Sequence, residues 1–262
     1  MTNESKTLYI PLYGKAIMSK EDFIIDDTAE RIYEVDKEAF ENVDTSRKLA
    51  IYMAMRAMQY DEFAAKFIQH DPFSIVIHLG CGLDSRKRRV GKSVMMWYDL
   101  DFPDVIELRK KYYMEDMNYT MISSSVTDLS WLDKIDHRNK NVLVIAEGLS
   151  MYLSENDVKN LMDGFRKTFR KTTFIFDAYS PFAAKMSKYK NPINAVDAKI
   201  DFAMSDPKIL ENDNIKCTLN SDIILSKYVN KLKGIDKIRF KFMGRFGKNM
   251  YRIFGYEING EK

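Results

Sequence analysis

The sequence predicts an α/β protein: a doubly wound, mostly parallel sheet flanked by helices and completed by an antiparallel C-terminal strand. Three observations predict it. Short unbroken apolar runs, such as Ile75-Val76-Ile77, suit strands buried on both faces. These runs alternate with helical patterns through residues 71–180, the signature of crossover units in a parallel sheet. The last segment instead shows a two-residue alternation, Met250, Arg252, Phe254 and Tyr256, as an antiparallel strand does.

Residues 1–70 read as mostly helical. Leu49, Met53, Ala57, Phe63 and Phe67 recur at helical spacing, and the pattern stops before Pro72. The first strand is bounded by Pro72 and Gly80. A second is predicted over 93–101, followed by a helix with Pro103 near its first turn, and a third over 119–126. The fourth begins at Asn141 and leads to a helix from Ser154, where Ser154 supplies an N-cap and Glu155 and Asp157 supply favourable first-turn charge. A fifth covers 172–179. Beyond Ser180, Pro181, Pro192 and Pro207 interrupt helical fragments. We read 181–220 as a cap or lid inserted into one domain, 1–262, with 221–262 completing the sheet.

A chain of 262 residues that is 45% hydrophobic can bury a substantial core. Its 41 Lys and Arg nearly balance 38 Asp and Glu, and a net charge of +3 gives no reason to expect a nucleic-acid partner. Cys81 and Cys217 are the only cysteines, which excludes a disulfide scaffold and points to a reducing, cytoplasmic location. The opening MTNESKTLYIPLYGKA has no apolar signal core, and no stretch approaches the roughly 20 apolar residues that span a bilayer. No membrane partner is expected. Three scattered His and two lone Cys have no metal-ligand spacing.

The chemistry concentrates at the end of the first strand. Gly80-Cys81-Gly82 allows a sharp turn and close backbone approach to a ligand. About twenty residues further on, the second strand ends in Asp99 and Asp101, either placed to accept both ribose hydroxyls of a nucleoside. Such a pairing belongs to Rossmann-like folds. The third glycine of a dinucleotide fingerprint is missing, since Leu83, Asp84 and Ser85 follow Gly82. Asp84 would also repel a phosphate, although it equally suits a local ion pair with Arg86 that fixes the loop. A cofactor carrying a sulfonium and an amino group tolerates this acidity, so S-adenosylmethionine is favoured over NAD.

His78-Leu-Gly-Cys-Gly-Leu-Asp-Ser-Arg86 resembles the LGxGxDTR motif of the leucine carboxyl methyltransferase family, and is closer to its bacterial branch of polyketide carboxyl O-methyltransferases. Three further blocks are similar in order and spacing: Ile10-Pro-Leu-Tyr-Gly-Lys-Ala16, Tyr98-Asp-Leu-Asp-Phe-Pro-Asp-Val-Ile106 and Ala146-Glu-Gly-Leu-Ser-Met-Tyr-Leu153. The resemblance covers residues 8–180 well and the remainder loosely. It implies a class I methyltransferase fold. It also implies that Arg56 pairs with the methionine carboxylate, that Gly80, Cys81 and Gly82 turn beneath the methionine moiety, and that Asp101 holds the ribose. Glu147, beside Gly148, would lie near the amino or sulfonium group. One departure concerns adenine: the family's Asp-Leu pair is replaced by Ser125-Val126, leaving the contact to the Ser125 hydroxyl or to Asp128.

Methyl transfer requires alignment and exclusion of water. A carboxylate acceptor is already ionised at neutral pH, whereas an alcohol or phenol needs a base. His78 reads as a satisfied core histidine, and His70 and His137 as exposed loop residues. Tyr13, Lys15 and Tyr152 are candidates for the acceptor pocket. The expected activity is O-methylation of a small carboxylic or hydroxylated molecule. The alternatives are methylation of a protein C-terminal carboxylate, a silent cofactor-binding protein, and, less favoured, a NAD-dependent oxidoreductase.

Overall fold

The computed structural model describes residues 8–261 apart from 41, 42, 44, 92, 138, 139 and 188–199. The polar start of the chain and Pro192 lie outside the described residues. Seven strands form one sheet in the order β3-β2-β1-β4-β5-β7-β6. They are β1 (Ile75–Leu79), β2 (Met96–Asp101), β3 (Tyr119–Ser123), β4 (Asn141–Ala146), β5 (Lys171–Tyr179), β6 (Ile215–Asp222) and β7 (Tyr251–Asn259). β1 to β5 pair in parallel, and β7 runs antiparallel to both β5 and β6. The strand order reverses between β2 and β4 on either side of β1, and it is outside the C-terminal ends of such strands that an open sheet leaves a crevice for ligands.

Every β1 residue is buried, and its alternation divides the core. Ile75, Ile77 and Leu79 join Trp131, Phe165 and Phe176 on one face. Val76 joins Tyr60, Trp97 and Leu143 on the other.

Among the described residues, three α-helices precede the sheet: α1 (Tyr9–Ser19), α2 (Asp27–Val35) and α3 (Arg47–His70). Ser46 caps α3 by accepting from Leu49 N–H at 3.2 Å. Gly14 lets α1 lie close on α3, because a Cβ there would come within 3.2 Å of Ala50 Cα. Next come α4 (Arg86–Val90), α5 (Pro103–Arg109), α6 (Glu155–Thr168), α7 (Pro181–Ser187) and α8 (Gly234–Phe246). α5 starts at Pro103, as its fixed φ favours. Ser154 and Asp157 form a reciprocal capping box at the start of α6.

The 181–220 stretch holds α7, a 3₁₀ turn at Pro207–Leu210 and the first residues of β6. Phe202 and Met204 are buried in the core with Phe176, so this stretch also supplies core. β6 lies at the sheet edge, and its outward Lys216, Thr218 and Asn220 hide it from a search for apolar runs. Among the described residues, no helix is long and apolar enough to cross a membrane.

Candidate functional site

Gly80 and Gly82 follow β1 with φ of +60° and +49°, the left-handed region that favours glycine. Cys81 N–H donates to Leu100 O at 3.2 Å and Gly82 N–H to Asp101 Oδ2 at 2.8 Å, tying the turn to the end of β2. A second tight turn follows β4. There Gly148 has φ +68°, and a Cβ would meet the Arg56 guanidinium at 3.1 Å.

Between these turns opens a cavity of about 370 Å³, within the usual size range of small-molecule sites. Its floor includes Gly80, Cys81, Gly82, Asp101, Ser125, Val126, Glu147 and Gly148. Its other walls come from the N-terminal helices and from β4 onwards: Pro11, Lys15, Met53, Arg56, Tyr152 and Tyr179. Every cofactor-site residue expected from the sequence therefore lines one cavity. Of the three acceptor candidates, Lys15 and Tyr152 line it. Tyr13 does not: it packs edge-on against Tyr33, with ring centroids 5.5 Å apart, and also contacts Phe40.

The two aspartates of β2 separate by environment. Asp99 is fully buried and accepts from Trp97 Nε1 (2.8 Å), Tyr119 OH (2.5 Å) and the Arg109 guanidinium. Burial would raise its pKa, but Arg109, His78 and Tyr119 override that and hold it well below the carboxylate range. Asp101 lines the cavity and, among the described residues, accepts from backbone N–H groups alone, those of Gly82 and Phe102, each at 2.8 Å. Its pKa is raised, chiefly by burial, against the lowering effect of those two N–H groups. Asp128 turns its side chain to Ser130 N–H at 3.2 Å and is not among the lining residues, so Ser125 rather than Asp128 faces the cavity at the end of β3.

Beneath the cavity runs a buried ionic network that local spacing does not announce. Glu147 accepts from Arg56 Nε at 2.8 Å and from Arg86 Nη2. Arg86 also donates to Asp61 Oδ1 at 2.8 Å and to His78 Nε2 at 3.1 Å. Asp84 receives Lys15, Arg89 at 3.0 Å and the backbone N–H of Arg86 at 2.7 Å. Arg89 continues to Asp61 and Asp26, each at 2.6 Å. Arg56 reaches Tyr251 OH at 3.0 Å and Asp177 at 3.4 Å. Burial would raise the pKa of Glu147, yet the Arg86 and Arg56 guanidiniums pull it down to about 2. Asp177, which also accepts from Tyr60 OH (3.0 Å) and Gly148 N–H (2.7 Å), is pushed up by burial against the lowering influence of Arg56.

The expected Asp84–Arg86 contact thus exists mainly through the backbone, the side-chain ion pair being 3.6 Å. His78 is buried as expected but only partly satisfied: Nε2 meets Arg86, whereas Nδ1, 3.5 Å from Asp99, makes no hydrogen bond among the described residues, and the ring also reaches the cavity wall. His70 closes α3 rather than lying in a loop, and His137 packs against Phe169 with ring centroids 5.3 Å apart. Sequence reasoning missed Asp61, Arg89, Asp177 and Tyr251. The i, i+3 spacing of Arg86 and Arg89 hinted at two cations on one helix face, but apart from Asp84 their carboxylate partners, Asp26, Asp61 and Glu147, lie far away in the chain.

The family model for leucine carboxyl methyltransferase matches residues 12–166. The chain belongs to the leucine carboxyl methyltransferase family. It is 34% identical to the tetracenomycin polyketide synthesis O-methyltransferase TcmP of Streptomyces glaucescens, across 81% of this chain and 79% of that one. It is 30% identical to the S-adenosyl-L-methionine-dependent methyltransferase dpfgK of Gibberella zeae, over 61% of this chain and 58% of the fungal protein. The plantazolicin methyltransferase BpumL in complex with SAH superposes with a TM-score of 0.50 at 11% identity, over 99% of each chain, a likeness of fold. As a member of this family the chain is a methyltransferase whose methyl donor is S-adenosylmethionine.

Proposed function

We propose that the protein transfers a methyl group from S-adenosylmethionine to an oxygen of a small organic molecule, and that this oxygen belongs to a carboxylate. The observation that carries the reading is the meeting, in one cavity, of the Gly80–Gly82 turn, Asp101, the Arg56–Glu147 pair and the walls from α1 and α3. The residues fit the donor. Four cations, Lys15, Arg56, Arg86 and Arg89, are tied to five carboxylates, Asp26, Asp61, Asp84, Glu147 and Asp177. With all five ionised the network carries one negative charge, opposite to the net charge of the zwitterionic sulfonium. The glycine at 148 keeps open the space a Cβ would fill beside Arg56.

Asp101 would take the ribose hydroxyls, Arg56 the amino-acid carboxylate, and Ser125 with Val126 the adenine edge. Gly80, Cys81 and Gly82 would bring backbone close to the methionine moiety, with Glu147 and Gly148 at the sulfonium end. When bound, S-adenosylmethionine supplies an electrophilic methyl group. The chain's own part is to align the acceptor oxygen and keep water out. Leu49, Met53, Lys15 and Tyr152 would shape the acceptor end.

The carboxylate assignment follows from what the wall lacks. Glu147 is held ionised between two arginines, Asp84 is saturated by Lys15 and Arg89, and Asp101 is engaged by the turn. Two further wall residues are also engaged: His78 has Nε2 taken by Arg86 and Nδ1 turned towards Asp99, and Asp157 accepts from Ser154. Among these described carboxylates and His78 none is a poised base, and a carboxylate needs none. The relative TcmP is named for O-methylation in tetracenomycin polyketide synthesis, which makes polyketide-like carboxylic acids sensible first acceptors. Two unpaired cysteines suit a cytoplasmic setting.

The test is methyl transfer from labelled S-adenosylmethionine to matched panels of carboxylic acids and phenols, with S-adenosylhomocysteine quantified. Turnover of acids, with a rate nearly flat between about pH 6 and 9, is expected. A preference for phenols and a rate rising with pH would overturn the carboxylate assignment. Binding without turnover of any acceptor would leave the silent reading in its place.

A further inference from the structure

Helix α8 lies outside the main cavity and presents a face that no described residue covers. Ile235, Ile238, Phe242 and Phe246 recur at helical spacing and are 60–68% exposed. On the opposite side, Phe240 and Gly244 are buried, Phe240 in one cluster with Ile51 and Met55 of α3. At 100° per residue the four exposed side chains span about 80°, with Arg239 beside one edge and Lys241 and Arg245 beside the other.

The charge is concentrated. Residues 231–248 hold seven Lys and Arg against a single Asp, a local excess twice the +3 of the whole chain. That one acid, Asp236, is taken by Arg47 at 2.8 Å. Lys233, Arg239, Lys241, Arg245 and Lys248 are exposed and make no ion pair among the described residues. Lys48 of α3 adds a further exposed cation at a shallow depression shared with Arg239 and Phe242.

We infer that α8 docks the enzyme on an anionic lipid bilayer surface, with the Ile235–Phe246 ridge lowered between the acyl chains and the flanking cations at the phosphates. An apolar stripe bordered on both sides by cations is the arrangement of helices that lie in the membrane interface. Charge complementarity selects the anionic surface. A nucleic acid would match the cations but would leave the ridge against phosphates. A second copy of the same helix would match the ridge but would oppose its own positive charge. The expectation of no membrane partner rested on the absence of a spanning stretch, which does not address a helix that lies on the surface.

Co-sedimentation of the full chain would compare phosphatidylcholine vesicles with vesicles in which roughly a third of the lipid is phosphatidylglycerol. Binding only to the anionic vesicles, weakening as salt rises, is expected. Replacing Arg239 and Arg245 with Gln should lower partitioning roughly 30-fold, the loss for two cations at such a surface. The pair Ile238→Ser and Phe242→Ser should abolish it, while S-adenosylhomocysteine binding in solution stays intact in both variants and confirms folding. If either variant fails to fold, Lys241→Gln with Lys248→Gln provides the charge test. Equal sedimentation with both vesicle types, or unchanged binding by the charge variants, would overturn the inference. So would a dimer in analytical ultracentrifugation that the apolar pair dissolves while no lipid is bound.

Discussion

Replacing Glu147 with Gln isolates the charge of the site from its shape. The amide keeps the side chain's volume but only one acceptor oxygen, so if that oxygen stays with Arg56 Nε, now 2.8 Å from the carboxylate, the NH2 donor is turned towards the Arg86 guanidinium. Two consequences follow, and they are separable. The first is stability: losing the charged hydrogen bonds of Glu147, while Arg86 keeps Asp61 and Arg56 keeps Asp177, should cost about 1.5–3 kcal/mol. The second is selective for the sulfonium. A cavity of about 370 Å³ is only about 9 Å across if spherical, so at an effective dielectric near 20 one charge at its wall acts on a charge within it by about 1.8 kcal/mol. S-adenosylmethionine should therefore lose about 20-fold more affinity than S-adenosylhomocysteine, which lacks the sulfonium charge. Calorimetric titration of both ligands into wild type and variant gives the ratio directly. Equal losses for the two ligands would refute the electrostatic role of Glu147, even if the variant proved unstable.

Four further outcomes follow from the same geometry. Acid unfolding should report Glu147: its pKa is lowered from 4.5 to about 2, so its stabilisation is present above about pH 4.5 and is lost as pH falls towards 2. Wild type should then lose more stability than Glu147→Gln over that interval in urea melts. Asp101→Ala should weaken S-adenosylhomocysteine at least tenfold, about 1.4 kcal/mol, and because burial raises the pKa of Asp101, wild-type affinity should fall as pH drops through that raised value. Asp99→Asn should act differently, lowering stability by about 3–5 kcal/mol by stranding Arg109, as a denaturation curve would record. Gly148→Ala should cost about 1–2 kcal/mol for its left-handed φ of +68° and should also displace Arg56, visible as weaker cofactor binding in calorimetry.

How much of this was legible in the sequence follows from the range of the signals. The parallel strands were readable because burial on both faces leaves unbroken apolar runs at β1, β4 and β5. The Gly80–Gly82 turn and the Asp101 strand end were readable because a ligand crevice imposes fixed spacing along one crossover unit. Choosing between Asp99 and Asp101 was not, since both point to one face of β2. What separates them is Arg109, ten residues on, and Tyr119 on the neighbouring strand. β6 escaped because an edge strand with alternating polar residues carries little apolar signal. The amphipathic face of α8 was present in the spacing Ile235, Ile238, Phe242 and Phe246. Only the structure shows that this face is turned outward.

The ionic network explains why the chemistry of the site is so little local. Its members come from α1 (Lys15), the cap of α2 (Asp26), α3 (Arg56, Asp61), the turn and helix after β1 (Asp84, Arg86, Arg89), the end of β4 (Glu147) and β5 (Asp177). Such a network contributes little net stability compared with an apolar core, because desolvation offsets much of the attraction. Its effect is one of position: each charge has a partner only when the N-terminal helices, the β1 turn and the β4 turn are assembled together. A single replacement within it should therefore loosen the walls that α1 and α3 give the cavity as well as its floor. Arg89→Met tests this, since Arg89 is not among the lining residues yet binds Asp26, Asp61 and Asp84. Weaker cofactor binding in a folded Arg89→Met protein, with faster hydrogen exchange in α1 and α2, is the expected result. Unchanged affinity and exchange would show instead that the helices hold their places by apolar packing alone.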